Sequence, residues 1–182
     1  MTYPDNPFLL HGEDSDRLTF RSVDRRDFAA WLKFFEDPSC FQHWIVEKEI
    51  PETACDKWYE KQFHRYTNNL GGMNALIEKK TNQLVGHAGL LVQSVDGISE
   101  LEIAYSLLPA FWNKGFASEA AQKIKSFAFD RSLSTSLISI ISLTNTPSAK
   151  VAVRTGMSID KVTTYHLNDV NIFRIFSPTE HA

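Results

Sequence analysis

Leu107-Leu108-Pro109-Ala110-Phe111-Trp112-Asn113-Lys114-Gly115-Phe116-Ala117-Ser118-Glu119-Ala120 is where the chain changes from a two-residue repeat to a helical one. Ahead of it, Ser99 to Leu108 alternates Glu100, Glu102 and Ala104 with Leu101, Ile103 and Tyr105, as a strand with two different faces should. Pro109 stops that strand. From Gly115, the residues Phe116, Ala120, Ile124 and Phe127, beside Ala117, Ala121 and Ala128, form one helical face running to about Arg131. Glu119 and Lys123 are spaced to pair on its solvent side. Such a strand-to-helix junction suits phosphate. First-turn N–H groups lack internal partners and lie at the positive end of the helix macrodipole, and Gly115, Ala117 and Ser118 are small enough to let a pyrophosphate approach. A small-residue helix start also serves simple packing, so the local pattern leaves both readings open.

Upstream, residues 1–16 hold Pro4, Pro7, Gly12 and several acids without periodicity and read as an extended lead-in, leaving 17–178 as one domain. Leu18 to Val23 reads as a strand. Asp24 is placed to cap a helix whose stripe is Phe28, Trp31, Leu32 and Phe35, ending before Pro38. A loop with Phe41 and Trp44 leads to a second helix opening at Pro51-Glu52, with Trp58, Gln62, Phe63 and Tyr66 at helical spacing. Gly71-Gly72 breaks the chain. Met73 to Lys79 and Gln83 to Val95 then form a hairpin about Lys80-Thr81-Asn82. Downstream, Leu137 to Leu143 is β-branched enough for a buried strand. Asn145 to Thr155 is a short helix closed by Gly156, and strands near Ser158 to Tyr165 and Asn171 to Phe176 flank a turn at Asn168-Asp169. The order β-α-α-β-β-β-α-β-α-β-β gives an α/β fold, a mixed sheet with helices on both faces.

A hydrophobic share of 43% against 23% charged residues supports a packed core rather than disorder, and 182 residues suffice for one such core. Nineteen Lys and Arg against 22 Asp and Glu, with no basic stripe, argue against direct nucleic-acid binding. Charges interrupt every apolar run well short of the ~20 residues that a bilayer span needs, and no basic-then-apolar leader opens the chain. The expectation is a cytoplasmic protein without membrane contact. Cys40 and Cys55 make no disulfide framework and read as free thiols of a reducing compartment. Cys40, His43, Cys55 and His64 lack the paired short spacings of a structural zinc site, so no metal is expected.

Three stretches together resemble the Gcn5-related N-acetyltransferase (GNAT) superfamily. Its coenzyme A loop runs Gln or Arg, two residues, Gly, one residue, then Gly or Ala, and Gly115 and Ala117 match the last two positions. Trp112 replaces the Gln or Arg. The form Phe111-Trp112-Asn113-Lys114-Gly115-Phe116-Ala117 is similar to the branch that acetylates ribosomal-protein N-termini at alanine or serine, with Asn113 where that branch usually has Gly. Asn tolerates the left-handed backbone better than most residues, which makes the exchange workable. Glu102-Ile103-Ala104-Tyr105 resembles the preceding family strand, and Asn145-Thr146-Pro147-Ser148 through Arg154-Thr155-Gly156-Met157 resembles the second coenzyme-contacting helix.

The resemblance implies a mostly antiparallel sheet, acetyl-CoA as co-substrate and a primary amine as acceptor. A protein N-terminus, ribosomal proteins first, is the leading acceptor, with a small amine, polyamine or antibiotic as the alternative. It also implies a base near Glu102, whose usefulness burial would increase by raising its pKa. A hydroxyl at Ser148 falls close to the thioester sulfur, and Asn145 falls beside the pantetheine arm. Asn145 and Ser148 are also good helix-start residues, so capping and coenzyme contact stay together as readings. Backbone groups from Tyr105, Ser106, Leu107 and Leu108 are expected to meet the carbonyl and the pantetheine amides, and Trp112, Asn113, Lys114, Gly115, Phe116, Ala117 and Ser118 to hold the pyrophosphate. Phe41 and Trp44 in the interhelix loop, and His166 by the last hairpin, are the candidates for touching the acceptor. Related proteins are often dimers, which makes a homodimer the expected assembly. A non-catalytic domain that binds or senses acyl-CoA is the rival from another class.

Overall fold

The computed structural model describes residues 6–178, so the first five residues of the expected lead-in lie outside the described residues. The elements run in the expected order. They are β1 (Leu18–Ser22), α1 (Phe28–Glu36), α2 (Pro51–Thr67), β2 (Gly71–Glu78), β3 (Leu84–Val95), β4 (Ile98–Leu107), α3 (Phe116–Asp130), β5 (Ser136–Ser142), α4 (Thr146–Arg154), β6 (Ser158–Tyr165) and β7 (Asn168–Phe176). Asp24 caps the turn ahead of α1 by accepting from the Arg26 N–H at 2.8 Å. Gly156, with φ +94°, takes the left-handed conformation that ends α4.

The seven strands order as β1-β2-β3-β4-β5-β7-β6, antiparallel throughout except β4 and β5. Alternation sorts side chains to two faces. Met73, Ala75, Ile77 and Leu91 pack with Trp31, Cys55, Tyr59 and Tyr66 of α1 and α2. Leu76, Leu90, Leu101 and Ile103 pack with Phe116, Ala120, Ile124 and Phe127 of α3 and Ala152 of α4. Helices therefore cover both faces. A smaller cluster of Val95, Ile138, Ile140, Val170 and Ile172 fills the β5–β7 side, with Trp44 against it.

Residues 6–17 form no regular element, yet they belong to the packed body. Leu10 is fully buried among the α3-side residues, and the buried Asn6 donates to the Tyr66 and Gly71 carbonyls at 3.2 and 3.3 Å. Two expectations are corrected. Glu119 does not pair with Lys123. It accepts from the Ser15 hydroxyl, the Arg17 N–H and the Arg17 guanidinium at 2.7, 2.7 and 2.6 Å, while Lys123 pairs with Glu13 at 2.7 Å. The lead-in supplies nearer partners than the next helical turn does. The last hairpin turns at His166-Leu167, whose φ values of +46° and +64° suit a two-residue turn, so Asn168 opens β7 instead of lying in the turn.

Candidate functional site

Strand β4 delivers the chain into the coenzyme-like loop at the α3 N-terminus. Asn113 and Gly115 have φ +59° and +83°, so the Asn113 substitution does take the left-handed backbone that the motif asks for. Gly115 gives α3 no side-chain cap, and the first turn's intrahelical bonding begins with the Glu119 N–H donating to the Gly115 carbonyl at 3.1 Å. The N–H groups of Phe116, Ala117 and Ser118 thus face outward at the positive end of a 15-residue helix. Arg17 braces the loop, donating to the Lys114 carbonyl at 3.0 Å and lying over the Phe116 ring at 4.3 Å. Phe116 is buried, so its side chain packs into the core and does not face a ligand. Trp112 is exposed, and its indole donates to the Leu107 carbonyl at 2.8 Å.

Beside this loop the sheet splits. Strands β4 and β5 share a single ladder pair, Glu102 with Ile138, whereas β4 pairs with β3 along its whole length. The buried Ser139 hydroxyl crosses the split to donate to the Ile103 carbonyl at 2.8 Å. A cavity of about 260 Å³ opens here, lined by Trp44, Met73, Glu102, Ala104, Tyr105, Ser106, Ser139, Asn145 and Ser148 among others. A larger groove of about 600 Å³ lies between α1, the start of β3 and Leu108 to Phe111; its charged lining is Lys33 and Asp37, and it holds no acid or base placed beside the split. The smaller cavity is where the chemistry-bearing residues converge.

Glu102 is 7% exposed at the cavity floor. The Gln93 amide donates to its Oε2 at 2.8 Å and the Ile140 N–H to its Oε1 at 3.4 Å. Burial pushes its carboxyl up to about 7, with those two hydrogen bonds and the Arg65 and Lys61 charges opposing the rise. The Tyr105 hydroxyl donates to the Ser148 carbonyl at 2.9 Å, and burial holds it well above the usual phenol range. Asn145 caps α4 by accepting from the Ser148 N–H at 3.1 Å, so its capping role is formed while its side chain still lines the cavity.

The structure thus brings Glu102, Tyr105, Ser106, Asn145, Ser148 and Trp44 to one cavity. Leu107 and Leu108 already have partners within the chain. The Leu107 carbonyl is taken by the Trp112 indole, and the Leu108 N–H and carbonyl are taken by Val85 and Phe111 at 3.0 and 2.9 Å. Phe41 packs elsewhere. The single helical turn Pro38–Phe41 points its ring onto Phe34 and Phe35, at centroid distances of 5.4 and 5.9 Å, away from the cavity lining. His166 is exposed at the β6–β7 turn with its ring on Tyr165 at 4.3 Å, also outside the lining.

Reasoning from sequence missed Gln93, Arg65, Ser139 and Asn168. Asn168 accepts from the Ile45 N–H at 2.6 Å and donates to the His166 carbonyl at 2.7 Å, tying the loop that bears Trp44 to the last hairpin. Among the described residues no group of three or more His, Cys, Asp or Glu side chains gathers as metal ligands, and no helix is long and apolar enough to cross a membrane. Cys40 and Cys55 are free thiols that burial pushes up to about 12 and about 11.

The site is thus a split sheet beside an uncapped helix N-terminus, with a buried carboxylate at the split. The family model described as acetyltransferase (GNAT) domain matches residues 17–158, and the chain belongs to that family of acetyltransferases. A relative, the uncharacterized N-acetyltransferase YnaD of Bacillus subtilis (strain 168), is 29% identical over 78% of this chain and 79% of its own length. The acetyltransferase of Agrobacterium tumefaciens str. C58 shares the fold at TM-score 0.75 and 22% identity, covering 90% of this chain and 92% of that one. Two other neighbours are complexes with coenzyme A. The ribosomal L7/L12 α-N-protein acetyltransferase RimL has TM-score 0.72, 15% identity and coverage of 91% and 97%. The spermidine N-acetyltransferase of Vibrio cholerae, which also holds spermine, has TM-score 0.69, 15% identity and coverage of 88% and 96%.

Proposed function

We propose that this acetyltransferase moves an acetyl group from acetyl-CoA to a primary amine by direct attack, and that its first acceptor is a protein N-terminal α-amine, ribosomal proteins foremost. The observation that carries the reading is the buried Glu102 carboxylate at the floor of the β4–β5 split, poised near neutral pH. The outward N–H groups of residues 116–118, the left-handed Asn113 and Gly115 and the open β4 edge at Tyr105 and Ser106 fit a coenzyme A pyrophosphate and pantetheine arm. Glu102 takes the ammonium proton and later releases it to solvent, the amine nitrogen bonds to the acetyl carbon, and the carbon–sulfur bond breaks as a second proton passes from that nitrogen to the sulfur. Ser148, lining the same cavity, donates a hydrogen bond toward the departing sulfur, which leaves as the thiol. Two cations of α2, Lys61 and Arg65, act on Glu102, and Glu102 is the single acid in the lining. A polyamine would bring further cations against them, which favours an acceptor with one amine such as a peptide N-terminus.

Purified protein given acetyl-CoA and a panel of ribosomal-protein N-terminal peptides, with spermidine alongside, should release coenzyme A thiol with a peptide. Acetyl-CoA binding without release above background would leave only the non-catalytic reading. Glu102→Gln should lower turnover by roughly 10²-fold or more, keep coenzyme affinity and lose the acid limb that wild type shows as Glu102 protonates below about pH 7. Equal turnover would remove Glu102 as the base.

A further inference from the structure

We propose that Arg65 and Gln93 form a positioning relay for Glu102: Arg65 fixes the orientation of the Gln93 amide, and Gln93 holds the Glu102 carboxylate as an ionised acceptor. The inference rests on reading Glu102 as the base. Arg65, buried near the end of α2, donates through Nη1 to the Leu70 and Val92 carbonyls at 3.0 and 3.2 Å and through Nη2 to Gln93 Oε1 at 3.0 Å. A guanidinium has donors only, so Gln93 must turn its oxygen toward Arg65. Its Nε2 is thereby left to point at Glu102 Oε2, 2.8 Å away. A glutamine without that constraint has two ends of nearly equal shape and could present its oxygen to the carboxyl, which would favour the protonated acid.

Register and competition explain why Gln93 serves Glu102. On β3, Leu91 stands opposite Glu102 and Gln93 opposite Glu100, so Gln93 reaches Glu102 diagonally on the same face. Glu100 is drawn off by Arg174, with contacts of 2.6 and 3.1 Å. The other groups acting on Glu102 are the Lys61 and Arg65 charges of α2, Tyr165 of β6, Tyr105 on its own strand and the long Ile140 N–H bond from β5. The Gln93 bond is the shortest donor contact to the carboxylate. Without it, a buried carboxylate keeps one hydrogen bond of 3.4 Å and holds its proton to higher pH.

The test reads Glu102 itself and needs no acceptor. Protein labelled with ¹³C at the glutamate carboxyls is titrated by NMR, and the Glu102 signal is assigned by its disappearance in Glu102→Gln. Gln93→Met keeps length while removing both polar ends; it should raise the Glu102 midpoint by about one pH unit, a tenfold loss in the ratio of ionised to protonated carboxyl, with circular dichroism and acetyl-CoA affinity unchanged. Arg65→Lys, which lacks the planar fork, should move the midpoint the same way by less, and it decides the matter if Gln93→Met does not fold. An unmoved midpoint in a folded variant overturns the relay. Full turnover by Glu102→Gln with the peptide panel would instead overturn its catalytic purpose, so the two failures are told apart.

Discussion

Between Trp31 and Trp58, at centroid distances of 4.3 and 4.6 Å, the His87 imidazole is sealed from water, with neither ring nitrogen hydrogen-bonded. Burial lowers its pKa to about 3, so the folded chain keeps it neutral over a range where the unfolded chain protonates it. Its contribution to stability is therefore full above the unfolded value near 6.5 and falls as pH drops from there toward about 3. Between pH 7 and pH 5 this one group should cost about 2 kcal/mol. Glu102, whose folded pKa is raised, works in the opposite direction below about 7. His87→Leu should lose about 2 kcal/mol less than wild type between those pH values in urea unfolding, and equal losses would show that the imidazole is hydrated or paired in solution. At this scale Glu102 was legible, because strict alternation on β4 set it opposite Leu101 and Ile103. Gln93 and Arg65 were not, since a glutamine late in a strand and an arginine near a helix end look like ordinary surface residues until β3, β4 and α2 meet.

Elements were legible where periodicity was strong. Strand β6 spans Ser158–Tyr165 as read, and α3 begins one residue after Gly115. The last hairpin was misread because Asn168-Asp169 has common turn chemistry, while His166 and Leu167 adopt positive φ against their preference, with Asn168 holding the His166 carbonyl. The loop before α3 was read correctly in its conformation but not in its bracing, since Arg17 and Ser15 lie a hundred residues upstream of Glu119. That bracing bears on Gly115. A Cβ added there would sit 3.3 Å from Arg17 Nη2, and its φ of +83° strains any L side chain. Gly115→Ala should lower stability by about 1 kcal/mol and weaken acetyl-CoA roughly tenfold in calorimetry, as the first-turn N–H groups shift off the pyrophosphate. Retained affinity would place the pyrophosphate elsewhere.

At the scale of the whole molecule the site is a meeting of halves. The β4–β5 split needs both the β2–β3–β4 meander and the β5–β7–β6 unit, which are joined there by one parallel ladder pair, and no periodicity in either half announces it. The cavity lining crosses the same divide. Trp44 comes from the loop between α1 and α2, yet it packs against Val95, Ile138, Ile140, Val170 and Ile172 from β3, β5 and β7. Two polar ties hold that loop over the split, His43 to the Thr144 hydroxyl at 3.0 Å and Asn168 to the Ile45 N–H at 2.6 Å. Asn168 is buried while Ile45 is 71% exposed, so loss of the amide removes a part-buried bond that water replaces in part. Asn168→Ala should therefore raise KM for the best peptide of the acceptor panel roughly fivefold, the effect of one lost part-buried hydrogen bond that loosens the loop. KM for acetyl-CoA should stay unchanged, because α3 and the β4 edge are untouched. An equal rise in both constants would mean that the loop supports the fold at large and does not line the acceptor side.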